Sequence, residues 1–459
     1  MTPAYYTVAK VLAVNVGLLK ALEEVFDEKR INTILALSAF YHQEKNAVRQ
    51  FEQWCKERNY ETNCLSSSQD ISKFFKEIST KVEDFKEVWS KNRYYDGMSA
   101  IFDITSHSSY AETYKNNLVK RGYNCDSNDL PQMNFALIID PETKIPVNFD
   151  LFNGNCNDIS HFSRNIMRLL PNVKDPDIEL VFDNGCCSQK ALQTLSDENV
   201  KFTTVISEGS TLYKELVEKS YGNILLDGQL TYDRDVFSKR YDTDYLGVPV
   251  NAYVYFDYKL LIEEREALRN KTETLKEEAI KYLDDPKKLL SHYGSILKIK
   301  PHGDTTLTAS DISVDEDKYY GLQKQCGFFA LITNTPRDSL SVLKIYRGRN
   351  YVETMMHIIK NVLGFKTDST HTSEDSIGKF FTAFTSLIIY SQFTIAVRKD
   401  PTLTAYSIED MIKELNLIEV LKLKNNNFEV SVMSTLQKKL LNAVGISVDE
   451  FADEIKKNF

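Results

Sequence analysis

The chain has 459 residues, with 56 lysines and arginines against 65 aspartates and glutamates, which gives a formal net charge of −9. Hydrophobic residues make up 42% of it and glycine and proline number only 17 and 11, which excludes collagen-like and intrinsically disordered chains. The 7 cysteines show no CxxC pair and no Cys/His ligand spacing, which argues against a disulfide framework and a structural zinc site. Because the chain is acidic, any nucleic-acid function must rest on local groups and not on overall basicity.

Residues 1–95 are predicted to form a helical N-terminal region. Apolar residues recur every three to four positions from 12 to 26 and again from 71 to 82. Ser67 is a suitable N-cap for the second of these helices.

Residues 96–207 are predicted to form the first part of an α/β core. The predicted strands cover 99–105, 134–140, 145–152, 178–183 and 201–206, and the predicted helices cover 159–170, with Asp158 as its N-cap, and 188–196. This order predicts a mixed sheet whose first three strands form an antiparallel meander.

The remainder of the chain is predicted to contain three further parts. Residues 208–327 form a strand-rich insertion with short strands near 223–233, 250–256 and 296–308, a helix near 212–219 and a charged helix at 260–283. Residues 328–400 return to the core, beginning with an apolar strand at 328–334, and residues 401–459 form a helical C-terminal region. Residues 380–397 carry no charge, but threonines and serines interrupt them, which favours a buried core helix over a membrane span.

Two aspartates stand out because they lie on predicted strands. Asp103 lies between Phe102 and Ile104 inside an apolar strand, where a charged side chain needs a partner or a metal. Asp183 ends another apolar strand, and taken alone a simple turn aspartate is an equally good interpretation. Two carboxylates on neighbouring strands make half of a divalent-metal site.

A predicted helix at 346–360 offers a third carboxylate. Glu353 and Lys360 are seven residues apart, and Arg349 and Tyr346 precede Glu353 by four and seven residues, so the helical period predicts that all four side chains share one stripe with His357. A neighbouring apolar stripe of Val352, Met355, Met356, Ile359 and Leu363 is expected to anchor the helix on the sheet. Without the two aspartates, an ordinary amphipathic helix would be the favoured interpretation.

The spacing Tyr346-(2)-Arg349-(3)-Glu353-(6)-Lys360 resembles the Y-(2)-R-(3)-E-(6)-K signature of DDE transposases of the bacterial insertion-sequence-four type. Further segments resemble blocks of the same family, so that the resemblance covers roughly residues 95–400; they are Arg121–Tyr123, Asp129–Gln132, Ile145–Pro146, Gly154–Asn155 with Asp158, Asp183–Gly185 and Phe328–Asn334.

The resemblance implies a ribonuclease-H-like core interrupted by a strand-rich insertion. It implies that Asp103, Asp183 and Glu353 are catalytic residues that bind Mg2+ or Mn2+, with two ions expected, and that Tyr346, Arg349 and Lys360 hold DNA near the transposon end. The implied activity is that of a metal-dependent nuclease and strand transferase acting on transposon ends and target DNA. A homodimer on paired ends, a bacterial cytoplasmic, nucleoid-associated location and no membrane partner are expected.

Three departures from this family leave an alternative open. The N-terminal region is short and lacks a basic segment, the sequence after Lys360 differs from that of relatives, and the net charge is −9. These features are compatible with a truncated, non-catalytic DNA-binding or dimerising relative that acts as an inhibitor, and, less well, with a host nuclease on the same fold. His357 has no counterpart in the signature, and a hydrogen-bonded residue on the helix face is favoured. The acidic run at 311–317 is expected to be a solvated loop, since it lacks the pattern of a calcium loop.

Overall fold

The structure is a computed structural model that describes residues 4–57, 65, 67–122, 129–156, 162, 177–231, 235–281, 283, 296–299, 308–422 and 428–457. The chain divides into two compact units. The first unit comprises Met1–Thr194 and Arg347–Phe459, and the second unit comprises Leu195–Tyr346. Apart from Phe162, the predicted helix at 159–170 and its N-cap Asp158 lie outside the described residues. The division of the chain into five parts remains a prediction.

The described α-helices are numbered in chain order. They are α1 Ala4–Asn15, α2 Leu18–Glu23, α3 Glu28–Glu44, α4 Phe51–Glu57, α5 Ser68–Ser79, α6 Val82–Lys91, α7 Gln189–Asp197, α8 Thr211–Ser220, α9 Ile224–Asp227, α10 Tyr258–Ile280, α11 Glu316–Gln325, α12 Ser339–Arg347, α13 Asn350–His357, α14 Ser373–Arg398, α15 Ile408–Asn416, α16 Thr435–Ala443 and α17 Val448–Lys457. A π-helical turn, Ile358–Val362, follows α13 directly.

The described strands are numbered in the same way. They are β1 Ser99–Ser109, β2 Gln132–Asp140, β3 Ile145–Asn153, β4 Glu179–Phe182, β5 Lys201–Val205, β6 Gln229–Thr231, β7 Val236–Tyr245, β8 Val248–Asp257, β9 Leu297–Ile299, β10 Ile312–Val314, β11 Phe328–Thr333, β12 Thr367–Asp368, β13 Val420–Lys422 and β14 Phe428–Val430.

The sheet of the first unit has the strand order β3-β2-β1-β4. Strands β1, β2 and β3 pair in antiparallel fashion, as the sequence predicts, whereas β4 runs parallel to β1. Strand β2 is buried along its whole length, which explains its continuous apolar run. The mixed α/β class is confirmed, and this strand order is consistent with a ribonuclease-H-like core.

Helix α14 forms the centre of the helical layer in the first unit. Its ring Phe384 packs on Phe149 of β3, with ring centroids 4.7 Å apart, and its Thr385 shares a hydrogen bond of 3.0 Å with Ser38 of α3. In the part of the chain that the structure describes, α14 alone is long and apolar enough to cross a membrane, but it is mostly buried inside the protein. The prediction of a buried core helix is therefore confirmed.

The sheet of the second unit is antiparallel throughout, with the order β5-β11-β8-β7-β6. Strand β11 was expected in the core, and it pairs here with β5 and β8. Strand β7 was not predicted, because its alternating pattern leaves a polar, exposed edge without a continuous apolar run. A strand predicted near 223–233 is partly wrong, since the apolar residues Ile224–Asp227 form α9 and only β6 is extended.

The acidic run at 311–317 is not a solvated loop. Asp311 is buried and accepts the Thr308 backbone N–H at 2.7 Å, and the Asp315 side chain caps α11 by accepting the Lys318 backbone N–H at 3.5 Å. Strands β9 and β10 pack with Ala279 of α10 in a small apolar cluster beside them. Asp311 thus lies directly before β10, and Asp315 lies directly before α11, where its carboxylate caps the helix.

Candidate functional site

Strands β1 and β4 bring Asp103 and Asp183 to the same place. In the parallel pair, Ile101 is the partner of Val181; Asp103 lies two residues further along β1, and Asp183 is two residues after Val181, directly beyond the end of β4. The register therefore places the two aspartates side by side, and residues paired across parallel strands point to the same face. Asp183 is held in place by its own chain, because its Oδ1 accepts the Asn184 backbone N–H at 2.8 Å.

Helix α13 supplies Glu353 and packs against β1 and β2. The predicted apolar stripe is buried, with Val352 fully so and Met355 and Met356 nearly so. Glu353 lies on the opposite, exposed side, with 49% of its side chain accessible. The amphipathic pattern thus fixes which face of this helix carries the carboxylate.

The predicted stripe is wrong for Tyr346, because the chain is not one helix from 346 to 360. Helix α12 ends at Arg347, and α13 begins at Asn350 after a turn at Gly348 and Arg349. Tyr346 belongs to α12, where it is partly buried against a core cluster of the second unit.

Lys360 lies in the π-helical turn that follows α13. Each residue of a π turn advances the helix by a smaller angle than in an α-helix, so the stripe predicted for a continuous α-helix does not extend unchanged to Lys360. Lys360 is half-buried, and His357 is exposed at the last position of α13.

Arg349 joins the sheet and the helix through its guanidinium group. Its Nη1 lies 2.9 Å from Asp183 Oδ2, and its Nη2 donates to Glu353 Oε1 at 2.5 Å. The arginine side chain is only 19% exposed, whereas Asp183 and Glu353 are 42% and 49% exposed. The planar guanidinium therefore bridges two carboxylates, with one terminal nitrogen on each.

Asp103 belongs to the same electrostatic group. The pKa of its carboxyl is raised to about 6, mainly by burial and in smaller part by the negative charges of Asp183 and Glu353. The backbone N–H of Ile104 and the Arg349 guanidinium act in the opposite direction. The structure therefore brings together four of the predicted residues, namely Asp103, Asp183, Arg349 and Glu353.

The chemistry of this donor set fits a hard divalent cation, because three carboxylates supply only oxygen ligands and come from two strands and a helix. Their present spacing does not close around an ion: among the described residues, no group of three or more His, Cys, Asp or Glu side chains could hold a metal. The Arg349 guanidinium lies between two of the three carboxylates. Metal binding would thus require a rearrangement of side chains on a backbone that already groups the ligands.

Sequence reasoning missed the ion pair between Arg349 and Asp183. The i, i+4 spacing of Arg349 and Glu353 indicated a local pair, but a partner 166 positions earlier carries no signal in the sequence. Cys187 lies close to Asp183 in the sequence, and burial raises the pKa of its thiol to about 12. A thiol with a raised pKa is a poor nucleophile, so Cys187 is not a candidate for the chemistry of this site.

Comparison with known families matches residues 100–389 to a family described as the transposase DDE domain. The matched segment contains all three carboxylates of the site. A search of curated proteins found no match. Among solved structures, the chain is similar to a cryo-EM structure of a piggyBac transposase synaptic complex with hairpin DNA, with 9% sequence identity, a TM-score of 0.44, and coverage of 95% of this chain and 77% of the other.

Proposed function

Since the chain belongs to the transposase DDE domain family, we propose that it cuts DNA at the ends of a bacterial insertion sequence and joins those ends to target DNA. The observation that carries the proposal is the grouping of Asp103, Asp183 and Glu353 around the end of β4. The proposal includes membership of the insertion-sequence-four type, which the Tyr346, Arg349, Glu353 and Lys360 spacing supports.

The three carboxylates would hold two Mg2+ or Mn2+ ions. When bound, such ions activate a water or a 3′-hydroxyl and stabilise the leaving oxygen of a phosphodiester. The contribution of the protein is to place Asp103 and Asp183 on adjacent strands, whose backbones are fixed by pairing, and Glu353 on a helix anchored by its buried face. Rigid elements hold catalytic groups more closely than loops do.

Arg349 would contact a DNA phosphate through two N–H groups of its guanidinium, and Lys360 would contact a phosphate through its ammonium group. Tyr346 is a weaker candidate for stacking on DNA, because one side of its ring packs against the cluster around Leu331. We further propose that two copies act on paired transposon ends, in the bacterial cytoplasm where the nucleoid lies.

The second candidate function is a non-catalytic, DNA-binding or dimerising relative that inhibits transposition. The observation that favours it is the ion pairing of Arg349 with Asp183 and Glu353, since a cationic side chain there competes with metal ions for the same carboxylates. The two candidates differ in one property, which is Mg2+-dependent cleavage of end DNA.

The test uses DNA that flanks the gene and carries terminal inverted repeats. The parent should nick this DNA with Mg2+ or Mn2+, and Glu353→Gln and Asp183→Asn should each lower the nicking rate by at least about a hundredfold, because metal ions contribute several kcal/mol to such a reaction. Glu409→Gln is the matched control, since Glu409 is an exposed carboxylate with an i, i+4 partner, Lys413, at 2.9 Å. In EDTA, Glu353→Gln should bind the DNA as well as the parent.

Two outcomes would decide against the enzyme. A parent that binds the repeats but never nicks them would establish the non-catalytic candidate. Nicking by Asp183→Asn at the rate of the parent would show that the carboxylates are wrongly assigned.

Lys360→Ala should weaken binding and flatten the slope of log K against log salt by about one unit if it contacts one phosphate.

A further inference from the structure

We propose that Arg349 acts as an internal counter-cation that competes with divalent ions for Asp183 and Glu353, and that a DNA phosphate relieves this competition by drawing the guanidinium away. The inference rests on the proposed function and assigns Arg349 a role in coupling metal binding to DNA binding.

The first step of the argument concerns the oxygen atoms of Asp183. Oδ1 accepts the Asn184 backbone N–H at 2.8 Å, and Oδ2 lies 2.9 Å from Arg349 Nη1. Both oxygens thus have a donor already. Each carboxylate oxygen keeps a second lone pair, so the competition is electrostatic: a divalent ion at Asp183 Oδ2 would lie beside the positive charge of the Arg349 guanidinium.

The second step concerns Glu353. Its Oε1 accepts a hydrogen bond from Arg349 Nη2 at 2.5 Å. One guanidinium group therefore contacts an oxygen of Asp183, at the end of β4, and an oxygen of Glu353, on α13. No three acidic or histidine side chains of the described residues are grouped so as to hold a metal. The same rotation of Arg349 would free an oxygen on each of the two carboxylates.

The third step is that water reaches both carboxylates and can replace Arg349 there. Asp183 and Glu353 are 42% and 49% exposed, and water screens ion pairs at that level of exposure. Arg349 also stands at the N-cap position of α13 without a capping hydrogen bond from its side chain. The helix dipole disfavours a cation at this end and favours an anion such as a phosphate.

A phosphate beside α13 would therefore gain a bidentate partner while the carboxylates lose one. Metal ions would then restore positive charge next to the carboxylates. Because linkage between two binding events is reciprocal, DNA should raise the affinity for metal by the same factor as metal raises the affinity for DNA.

The primary test needs no DNA. Mn2+ alone is titrated into the full chain, and the free Mn2+ is measured by electron paramagnetic resonance. Arg349→Gln should bind Mn2+ more tightly than the parent, on the order of tenfold, which lies within the usual range of coupling between sites. The matched control is Arg347→Gln, which removes the same charge from an exposed residue two positions earlier and should bind Mn2+ as the parent does.

Equal Mn2+ affinity of Arg349→Gln and the parent would overturn the proposal, and so would an equal gain in Arg347→Gln, which would reflect net charge alone. If Arg349→Gln does not fold, Arg349→Met tests the same idea, because it keeps an apolar stem and removes the guanidinium charge. That variant should bind Mn2+ more tightly than the parent, and an unchanged affinity would refute the competition.

A second measurement tests the coupling to DNA. Ca2+ should tighten binding of the inverted-repeat duplex to the parent by a larger factor than to Arg349→Gln, with Arg347→Gln matching the parent. Equal factors in the parent and Arg349→Gln would refute the coupling. Failure of the proposed function has a different signature, since a chain that neither binds nor cuts this DNA can still show the Mn2+ competition.

Discussion

His42 should make the first unit lose stability as the pH falls from neutral. The ring lies in the interior between α1, α3 and α14, and both of its nitrogens have partners. Nε2 lies 2.9 Å from the Ser386 carbonyl oxygen and donates to it, so Nδ1 is left to accept the Tyr5 hydroxyl at 2.8 Å. This arrangement satisfies the neutral ring, and a second proton on Nδ1 would force the Tyr5 hydroxyl to turn its own hydrogen away from the ring.

The magnitude follows from the pKa. Burial lowers the pKa of His42 from the ordinary 6.5 to about 4, and the hydrogen bond to Ser386 opposes this only in part. Above the unfolded pKa both states are neutral and this stability is fully present. Between the two pKa values the unfolded chain binds a proton that the folded chain does not, so the free energy of unfolding falls as the pH falls, by about 3 kcal/mol in total.

The assay is urea unfolding followed by tryptophan fluorescence. Both of the chain's 2 tryptophans, Trp54 and Trp89, lie in the first unit, so their signal reports that unit. His42→Gln cannot titrate and should be less stable than the parent at about pH 7, but the difference should shrink by about 2–3 kcal/mol at about pH 4.5. Tyr5→Phe should also show a weaker pH dependence, since it removes the donor to Nδ1. Parallel curves for the parent and His42→Gln would refute the reasoning.

Two further changes test the packing of α14 and of the second unit. Gly378→Ala should destabilise the first unit by about 1–3 kcal/mol or more, as urea unfolding measures it, because a Cβ there would lie 2.0 Å from the Phe75 carbonyl oxygen. Gly321→Ala in α11 has open space around the added Cβ and should stabilise the second unit by about 0.5–1 kcal/mol, as hydrogen exchange of α11 measures it. Lys379→Met should lower the free energy of unfolding by about 3–5 kcal/mol, because it leaves the fully buried Asp368 without its ion-pair partner at 2.9 Å, and adding Asp368→Asn should recover part of the loss; no recovery in the double variant would contradict this account.

Much of the first unit could be predicted from the sequence because its strands are long and apolar. The predicted meander of β1, β2 and β3 is confirmed, as is the buried face of α13. A continuous apolar run or a helical apolar stripe is stable only against a buried surface, so the sequence of such an element predicts which of its faces is buried. The placement of Asp103 beside Asp183 also follows, once β4 is known to run parallel to β1.

The parts that could not be predicted depend on partners distant in sequence or on a short break between two helices. Strand β7 alternates with polar residues and is recognised only through its pairing with β8. The turn at Gly348 lies within a stretch whose helical period looks unbroken. A single glycine in a helical pattern only weakens a helix and does not by itself predict an end. The assignment of Tyr346 to the stripe was wrong for this reason.

Arg349 lies at the end of this same turn. The i, i+4 spacing predicts only that Arg349 pairs with Glu353 along the helix face. Arg349 stands at the start of α13, beside the end of β4, where its guanidinium reaches Asp183 as well. A local i, i+4 pair thereby becomes a link between strand and helix at the carboxylates. Under the proposed function, a net charge of −9 is no argument against DNA binding, because the cation proposed to bind a phosphate lies at the site, paired with its carboxylates.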